Sequence, residues 1–191
     1  VMTTPNAAVA RHYKTLIKNY FSIDTSVGVG QGSAPQKGNA YILSIGPENL
    51  SEQILRETGI LMVKEGMNVI SDGIYDELIK SKCCRRAYLR GAFLAAGTIN
   101  NPEKEYHFEI TLGTEKLARE MRRAMNSFAD ISAKIVARKK GYGVYLKKGE
   151  QVRDTLGIMG ASGQFLKFDN VMMIKGLKAE SYRASNLIDA N

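Results

Sequence analysis

Three of the four even-numbered positions between residues 134 and 140 carry a cation, a spacing that suits contact with phosphate groups. Successive side chains of a strand face opposite sides. One face therefore carries Lys134, Val136, Arg138 and Lys140, and the other carries Ile131, Ala133, Ile135 and Ala137. On the next predicted strand, Tyr145 and Lys147 point outward. Cations bind phosphates, and an aromatic ring between them can stack on bases. The alternative is a solvated edge whose lysines prevent aggregation.

The segment before this hairpin complicates that interpretation. As a strand, Glu105–Leu112 has an apolar face of Tyr106, Phe108, Ile110 and Leu112, and an outward face of Glu105, His107, Glu109 and Thr111. Two carboxylates on an outward face would repel phosphates, which predicts a lopsided basic surface. The two carboxylates stand about 13 Å apart along a flat strand, too far to share a metal ion.

Composition limits the possible functions. The 191 residues are 44% hydrophobic and 24% charged, which is typical of a globular protein large enough to bury a core. No apolar run approaches the roughly 20 residues that span a bilayer, and no secretory signal is visible. The net charge of +8 favours either a nucleic-acid binder or a merely basic protein.

The metal-binding residue types are few. Cys83 and Cys84 are neighbours, which makes a mutual disulfide difficult and favours a reducing, cytoplasmic setting. Beside them the chain has only His12 and His107. We therefore predict no metal site and no cofactor.

Residues 86–100 predict a helix with a face of small side chains. Ala87, Gly91 and Ala95 recur every four residues and so share one side of the helix. Such a face lets a second helix approach closely. Gly97 ends the helix, and Thr98 and Ile99 open a strand.

The chain contains an internal repeat. Residues 5–23 align with residues 113–131 at a constant offset, so that Ala10 matches Ala118 and Ile23 matches Ile131. Both stretches predict amphipathic helices preceded by turn residues.

Each helix of the repeat is followed by a predicted strand pair and a second helix. The strands are Thr25–Val29 with Ala40–Ile45 in the first copy, and Ile131–Lys139 with Gly143–Lys147 in the second. A Gly/Ser/Pro-rich loop, Gly30–Asn39, joins the first pair, and a tight turn around Gly141 joins the second. The second helices are Leu50–Gly59 and Val152–Gly160. Because residues 83–112 have no counterpart in the first copy, we expect a partner helix and strand to precede Val1 in a longer protein.

The small-residue helix resembles a known signature. Residues 89–97, LRGAFLAAG, line up with the nine-residue motif of LAGLIDADG homing endonucleases. The penultimate position of that motif is the acid that binds the catalytic metal, and here it is Ala96. A methyl group cannot ligate Mg²⁺ or lower the pKa of a water molecule. The resemblance implies an α+β fold of two pseudo-symmetric halves, with antiparallel sheets forming a saddle, helices packed behind them, and no catalytic residues.

A narrower resemblance extends over nearly the whole chain. Residues 83–94, 101–110 and 138–147 resemble the WhiA family of bacterial regulators. That resemblance implies a transcription regulator linked to sporulation or cell division, in which a degenerate LAGLIDADG domain precedes a helix-turn-helix domain. We therefore divide the chain into a first half without its front part, residues 1–63, a linker, 64–82, a second half, 83–178, and a junction towards an absent helix-turn-helix domain, 179–191.

These observations predict a DNA-binding regulator rather than an enzyme, cytoplasmic and associated with the nucleoid. Its partner would be double-stranded DNA of promoter regions, and its contact residues would be Lys134, Arg138, Lys139, Lys140, Tyr145 and Lys147. Ala87, Gly91 and Ala95 would pack the signature helix, and no membrane contact is expected. The alternative is a protein-interaction or ligand-sensing module that controls a separate helix-turn-helix domain. The sequence leaves the oligomeric state open.

Overall fold

Two compact units make up the chain, Val1–Ser71 and Asp72–Asn191. They are seen in a computed structural model that describes residues 1–31 and 39–189. Both units combine helices with antiparallel strands, so the predicted α+β class is confirmed.

The first unit begins with β1 (Met2–Thr4), α1 (Ala7–Phe21), β2 (Val27–Gln31) and β3 (Asn39–Leu43). These strands form an antiparallel sheet in the order β1-β3-β2. A 3-10 turn (Pro47–Asn49), α2 (Ser51–Glu57) and a hairpin of β4 (Leu61–Lys64) and β5 (Met67–Ile70) follow. Ile17, Ile23 and Ile54 form its small core.

The second unit begins with a 3-10 turn (Asp76–Ile79), α3 (Lys82–Ala96), β6 (Gly97–Ile99) and β7 (Phe108–Leu112). It continues with α4 (Glu115–Asn126), β8 (Lys134–Arg138), β9 (Gly141–Leu146), α5 (Gly149–Ile158) and α6 (Ser162–Asp189). The strands form one antiparallel sheet in the order β6-β7-β9-β8. Phe108, Ile110, Val144 and Leu146 lie at most 1% exposed in the core, on the face that α4 packs against.

The repeat seen in the sequence is visible in both units. Asn6 and Thr114 occupy matching positions, and each caps the following helix by accepting backbone N–H bonds with its side chain. Ala10 and Ala118 are both fully buried, as the alignment requires. The sheet order β1-β3-β2 of the first unit corresponds to β7-β9-β8 of the second, so β1 is the counterpart of β7, a strand that the sequence alignment left without a match in the first copy.

Several predicted boundaries were wrong. Residues 131–133 lie outside β8, because the Asn126 side chain accepts a bond from the Ala133 N–H and donates one to its carbonyl. Residues 105–107 lie outside β7, because the backbone N–H groups of Lys104 and Glu105 turn back to Asn101. Pairing of β7 with β6 begins only at Phe108.

The first unit also departs from its predicted boundaries. Gly30 pairs with Ala40 inside the sheet and is not part of the connecting loop, whose residues 32–38 lie outside the described residues. The predicted helices Leu50–Gly59 and Val152–Gly160 are Ser51–Glu57 and Gly149–Ile158. The predicted linker, residues 64–82, contributes β5 to the first unit, because Glu65 and Gly66 both take positive φ and close a tight hairpin.

Gly141 offers a test of the second hairpin. Its φ is +121°, and a Cβ at this position would collide with the backbone carbonyl of Leu112. We expect Gly141→Ala to lower the free energy of unfolding by about 1–3 kcal/mol, measured by urea denaturation. The matched control is Gly113→Ala, where a Cβ would meet nothing within 4 Å. Equal stability of the two variants would contradict the assigned turn.

Candidate nucleic-acid interface

The outer face of the second sheet is set by the register of three strands. Glu109 of β7 lies opposite Tyr145 of β9, which lies opposite Lys134 of β8. Directly opposite residues in an antiparallel pair project to the same side. The next row, Ile110, Val144 and Ile135, projects to the core. The outer face therefore carries a carboxylate, an aromatic ring and a cation in one row.

Glu109 reaches across this face to Arg138. The Arg138 Nε donates to Glu109 Oε1 at 2.9 Å, and its Nη2 donates to Oε2, which makes a two-pronged ion pair. The carboxylate passes over Gly143, where a Cβ would overlap Oε1 of Glu109. Glycine on the central strand thus leaves the space that lets a residue of β7 contact a residue of β8.

Glu109 is held ionised in this arrangement. Its side chain is 8% exposed, and the His107 Nε2 lies 3.0 Å from its Oε2. The hydrogen bond from Arg138 is the largest cause that lowers the pKa of Glu109, and it outweighs the burial that would raise it. The contact raises the pKa of Arg138 in turn. The negative charge of the Glu109 carboxylate is therefore balanced by Arg138 within the sheet.

The aromatic part of the face lies beside this pair. The His107 and Tyr145 rings stack with centroids 6.1 Å apart, and the Lys147 Nζ lies 5.8 Å from the Tyr145 centroid. Sequence reasoning placed His107 on the outward face but gave it no role. Its spacing of two residues from Glu109 was the signal that the side chains of these residues meet.

The six predicted contact residues do not all stand in the same environment. Lys134, Lys139, Lys140 and Lys147 are exposed, and Tyr145 is half-buried. Lys139 and Lys140 form the turn between β8 and β9. Arg138 is 44% exposed but already bound to Glu109. Contact of these residues with DNA stays a prediction.

Of the two carboxylates predicted on the outward face, the structure confirms the position of Glu109 but not that of Glu105. Glu105 lies before β7, where its carboxylate accepts a bond from the Asn100 side chain. Glu109 is on the outer face, but Arg138 balances its charge. The pair cancels one cation and one carboxylate of the outer face, so Glu109 adds no unpaired negative charge there.

The small face of α3 is open. Ala87, Gly91 and Ala95 are all exposed, and a Cβ at Gly91 would meet nothing within 4 Å. Ala96 is half-buried and packs against the core cluster at the end of the helix. In the part of the chain that the structure describes, no three His, Cys, Asp or Glu side chains gather to hold a metal ion. None of the described helices has the length and apolar character needed to cross a membrane.

Solved structures place the fold in a known class. The chain is similar to full-length DUF199/WhiA from Thermatoga maritima, with a TM-score of 0.64 and 19% identity over 97% of this chain and 60% of that one. It is also similar to the homing endonuclease I-WcaI bound to its DNA recognition sequence, with a TM-score of 0.52 and 10% identity over 83% of this chain and 69% of that one. The fold is that of LAGLIDADG proteins, as predicted.

Sequence comparison narrows this class to one family. The family model of the WhiA N-terminal LAGLIDADG-like domain matches residues 1–61, and that of the WhiA LAGLIDADG-like domain matches residues 85–178. The chain belongs to the WhiA family.

Two curated relatives carry the name probable cell division protein WhiA. The one from Clostridium botulinum strain Hall is 38% identical over 192 aligned positions, and the one from Alkaliphilus metalliredigens is 38% identical over 190. Each alignment covers 100% of this chain and 60% of the relative, so the chain spans about three fifths of these proteins.

The ion pair predicts a pH-dependent contribution to stability. Because the pKa of Glu109 is lowered in the folded state, its contribution is present above the usual carboxyl pKa near 4.5 and is lost as the pH falls below that value. We expect Glu109→Gln to lower the urea midpoint at pH 7, and this deficit to shrink progressively as the pH is taken below 4.5.

The matched control is Glu180→Gln, which removes an exposed carboxylate of α6. Its midpoint should follow the wild type at every pH. A deficit of Glu109→Gln that stays constant from pH 7 to pH 3 would contradict the ion pair.

Proposed function

We propose that this chain is the catalytically inactive, LAGLIDADG-like part of a DNA-binding transcription regulator that acts in sporulation or cell division. The observation that carries the proposal is the outer face of the second sheet, where exposed lysines flank Tyr145 and the one buried carboxylate is balanced by Arg138. The partner we propose is double-stranded DNA of promoter regions. We place the protein in the cytoplasm, associated with the nucleoid.

The chemistry of this face suits a phosphate backbone. Lys134 and Lys147 flank Tyr145, and Lys139 and Lys140 extend the same edge through the turn. Lysines neutralise phosphates and release counterions, which gives affinity without base specificity. A fold shared with a DNA-bound homing endonuclease supports the use of this sheet face.

Cleavage of the DNA is not part of the proposal. The motif acid is replaced by Ala96, whose methyl group packs against the core and offers no metal ligand. DNA hydrolysis by this fold needs a carboxylate at that position to hold the metal. We therefore propose a binding role with no enzymatic activity.

Binding by this face alone should be weak. The β2 and β3 segments of the first unit, VGVGQ and NAYIL, contain no charged residue. The basic surface is thus confined to the second sheet among the described strands of these two hairpins. We propose that sequence-specific recognition lies outside this surface.

A salt titration tests the DNA contact. We expect DNA affinity to fall with salt, and Lys134→Gln/Lys147→Gln to weaken binding and lower the slope of log K against log salt by about 2, because each phosphate contact contributes roughly 0.9. Fluorescence anisotropy with a labelled duplex measures both quantities. Lys178→Gln/Arg183→Gln, two exposed cations of α6, is the charge-matched control. An equal loss in both variants, or no binding at low salt, would contradict the proposal.

A second candidate function is protein interaction through α3. Ala87, Gly91 and Ala95 form an exposed strip that a second helix can approach closely, and Leu94 beside them is 41% exposed. We propose that this strip packs against a helix of the same kind. The chain would then act as an assembly module that controls a separate helix-turn-helix domain.

Sedimentation velocity over a concentration series tests the α3 contact. We expect the wild type to self-associate and Gly91→Gln to shift towards monomer, because the longer side chain holds the helices apart. Gly176→Gln on α6 is the matched control, since a Cβ there also meets nothing within 4 Å. Monomeric wild type at every concentration would exclude self-association through this strip.

A further inference from the structure

A cavity of about 800 Å³ lies among α3, the turn after β6, α5 and α6 in the second unit. Its volume falls in the range of sites for small molecules, about 300–1,000 Å³. The walls are mainly apolar and include Phe93, Leu94, Ile99, Leu156, Phe168 and Val171. Such walls favour the apolar part of a ligand because they remove it from water.

One charged group in this cavity is held in a fixed position. The Arg90 Nε donates to the backbone carbonyl of Met159 at 2.7 Å. Its Nη2 lies over Gly160, where an added Cβ would be 3.3 Å away. Gly160 has a φ of +78°, which favours glycine and keeps this space open. The guanidinium is therefore positioned before any ligand binds.

The remaining N–H groups of Arg90 are available. Within the described residues, the Nη groups of Arg90 have no hydrogen-bond or ion-pair partner. A guanidinium has five N–H donors and no acceptor, and its planar edge matches a carboxylate. Lys167, an exposed residue of α6, adds a second cation to the lining, against the single carboxylate of Glu103.

We propose that this cavity binds a small amphipathic anion, a molecule with an apolar body and a carboxylate head. The head group pairs with Arg90 and is attracted by Lys167, and the apolar body lies against Phe93, Phe168 and Val171. The lining residues all belong to the second unit and lie apart from the outer face of its sheet, so the site is independent of the proposed DNA contact. A ligand bound in this cavity contacts residues at the end of α3 and in the first turns of α6.

Octanoate is a suitable probe, with 1-octanol as its neutral analogue and acetate as its head group alone. Methyl NMR titration of the whole 191-residue chain locates the site through Leu94, Ile99 and Val171. We expect saturable shifts of these methyls with octanoate, at least tenfold weaker binding of 1-octanol, and no saturation with acetate. The alcohol lacks the charge that pairs with Arg90, and acetate lacks the apolar body.

Two variants test the assigned residues. Arg90→Gln should weaken octanoate binding about tenfold or more, and Val171→Trp should block it by filling the cavity. Lys178→Gln, outside the lining, should bind as the wild type does. Val171→Trp keeps the test decisive if Arg90→Gln fails to fold.

Three outcomes would overturn the proposal. The first is the absence of saturable shifts with octanoate at millimolar concentration. The second is equal affinity for octanoate and 1-octanol that Arg90→Gln leaves unchanged, which would leave an apolar groove only. The third is a change of the Ile99 and Val171 methyls with protein concentration alone, which would show that a second copy of the chain occupies the cavity.

Discussion

Side-chain alternation along β7 and β9 is the constraint on which the second unit depends. Phe108, Ile110, Val144 and Leu146 are buried to 1% exposure or less, and they fix which face of the sheet packs on the helices. A register shift of one residue would move all of them into solvent. Because side chains alternate, the same constraint places Glu109, Tyr145 and Lys134 on the outer face of the sheet. Core packing thus determines the surface that we propose for DNA.

The charge of that surface depends on one small residue. Gly143 on the central strand leaves room for the Glu109 carboxylate to cross from β7 to Arg138 on β8. Burying a carboxylate is unfavourable unless a partner compensates, and here Arg138 and His107 both contact it. The pair removes one positive and one negative charge from the face together. The exposed lysines around the Glu109–Arg138 pair then make the electrostatic potential of this face positive.

The sequence predicted the elements better than their ends. Alternation identified Phe108 and Ile110 as core residues, and the repeat matched Ala10 to Ala118, both fully buried. The predicted ends of the strands were wrong because strand ends depend on particular side-chain hydrogen bonds. One example is the bond from the Ala133 N–H to the Asn126 side chain, which holds Ala133 away from the sheet. No periodicity in a single sequence reports a bond of that kind.

The candidate site was partly predictable for a related reason. Alternation gives the face on which a residue lies, but only the register of β7, β9 and β8 shows that Glu109 meets Arg138. Arg90 is a similar case, because the carbonyl that anchors it belongs to Met159, at the end of α5 and 69 residues along the chain. Distant pairings of this sort are a property of the fold and leave no local pattern.

We propose that DNA contacts the outer face of the second sheet. Backbone amide NMR during titration with a short duplex at low salt tests it most directly. We expect the shifts to concentrate at Lys134, Lys139, Lys140, Tyr145 and Lys147. Shifts that concentrate instead on α4 or α6, or no saturable shifts at all, would contradict it.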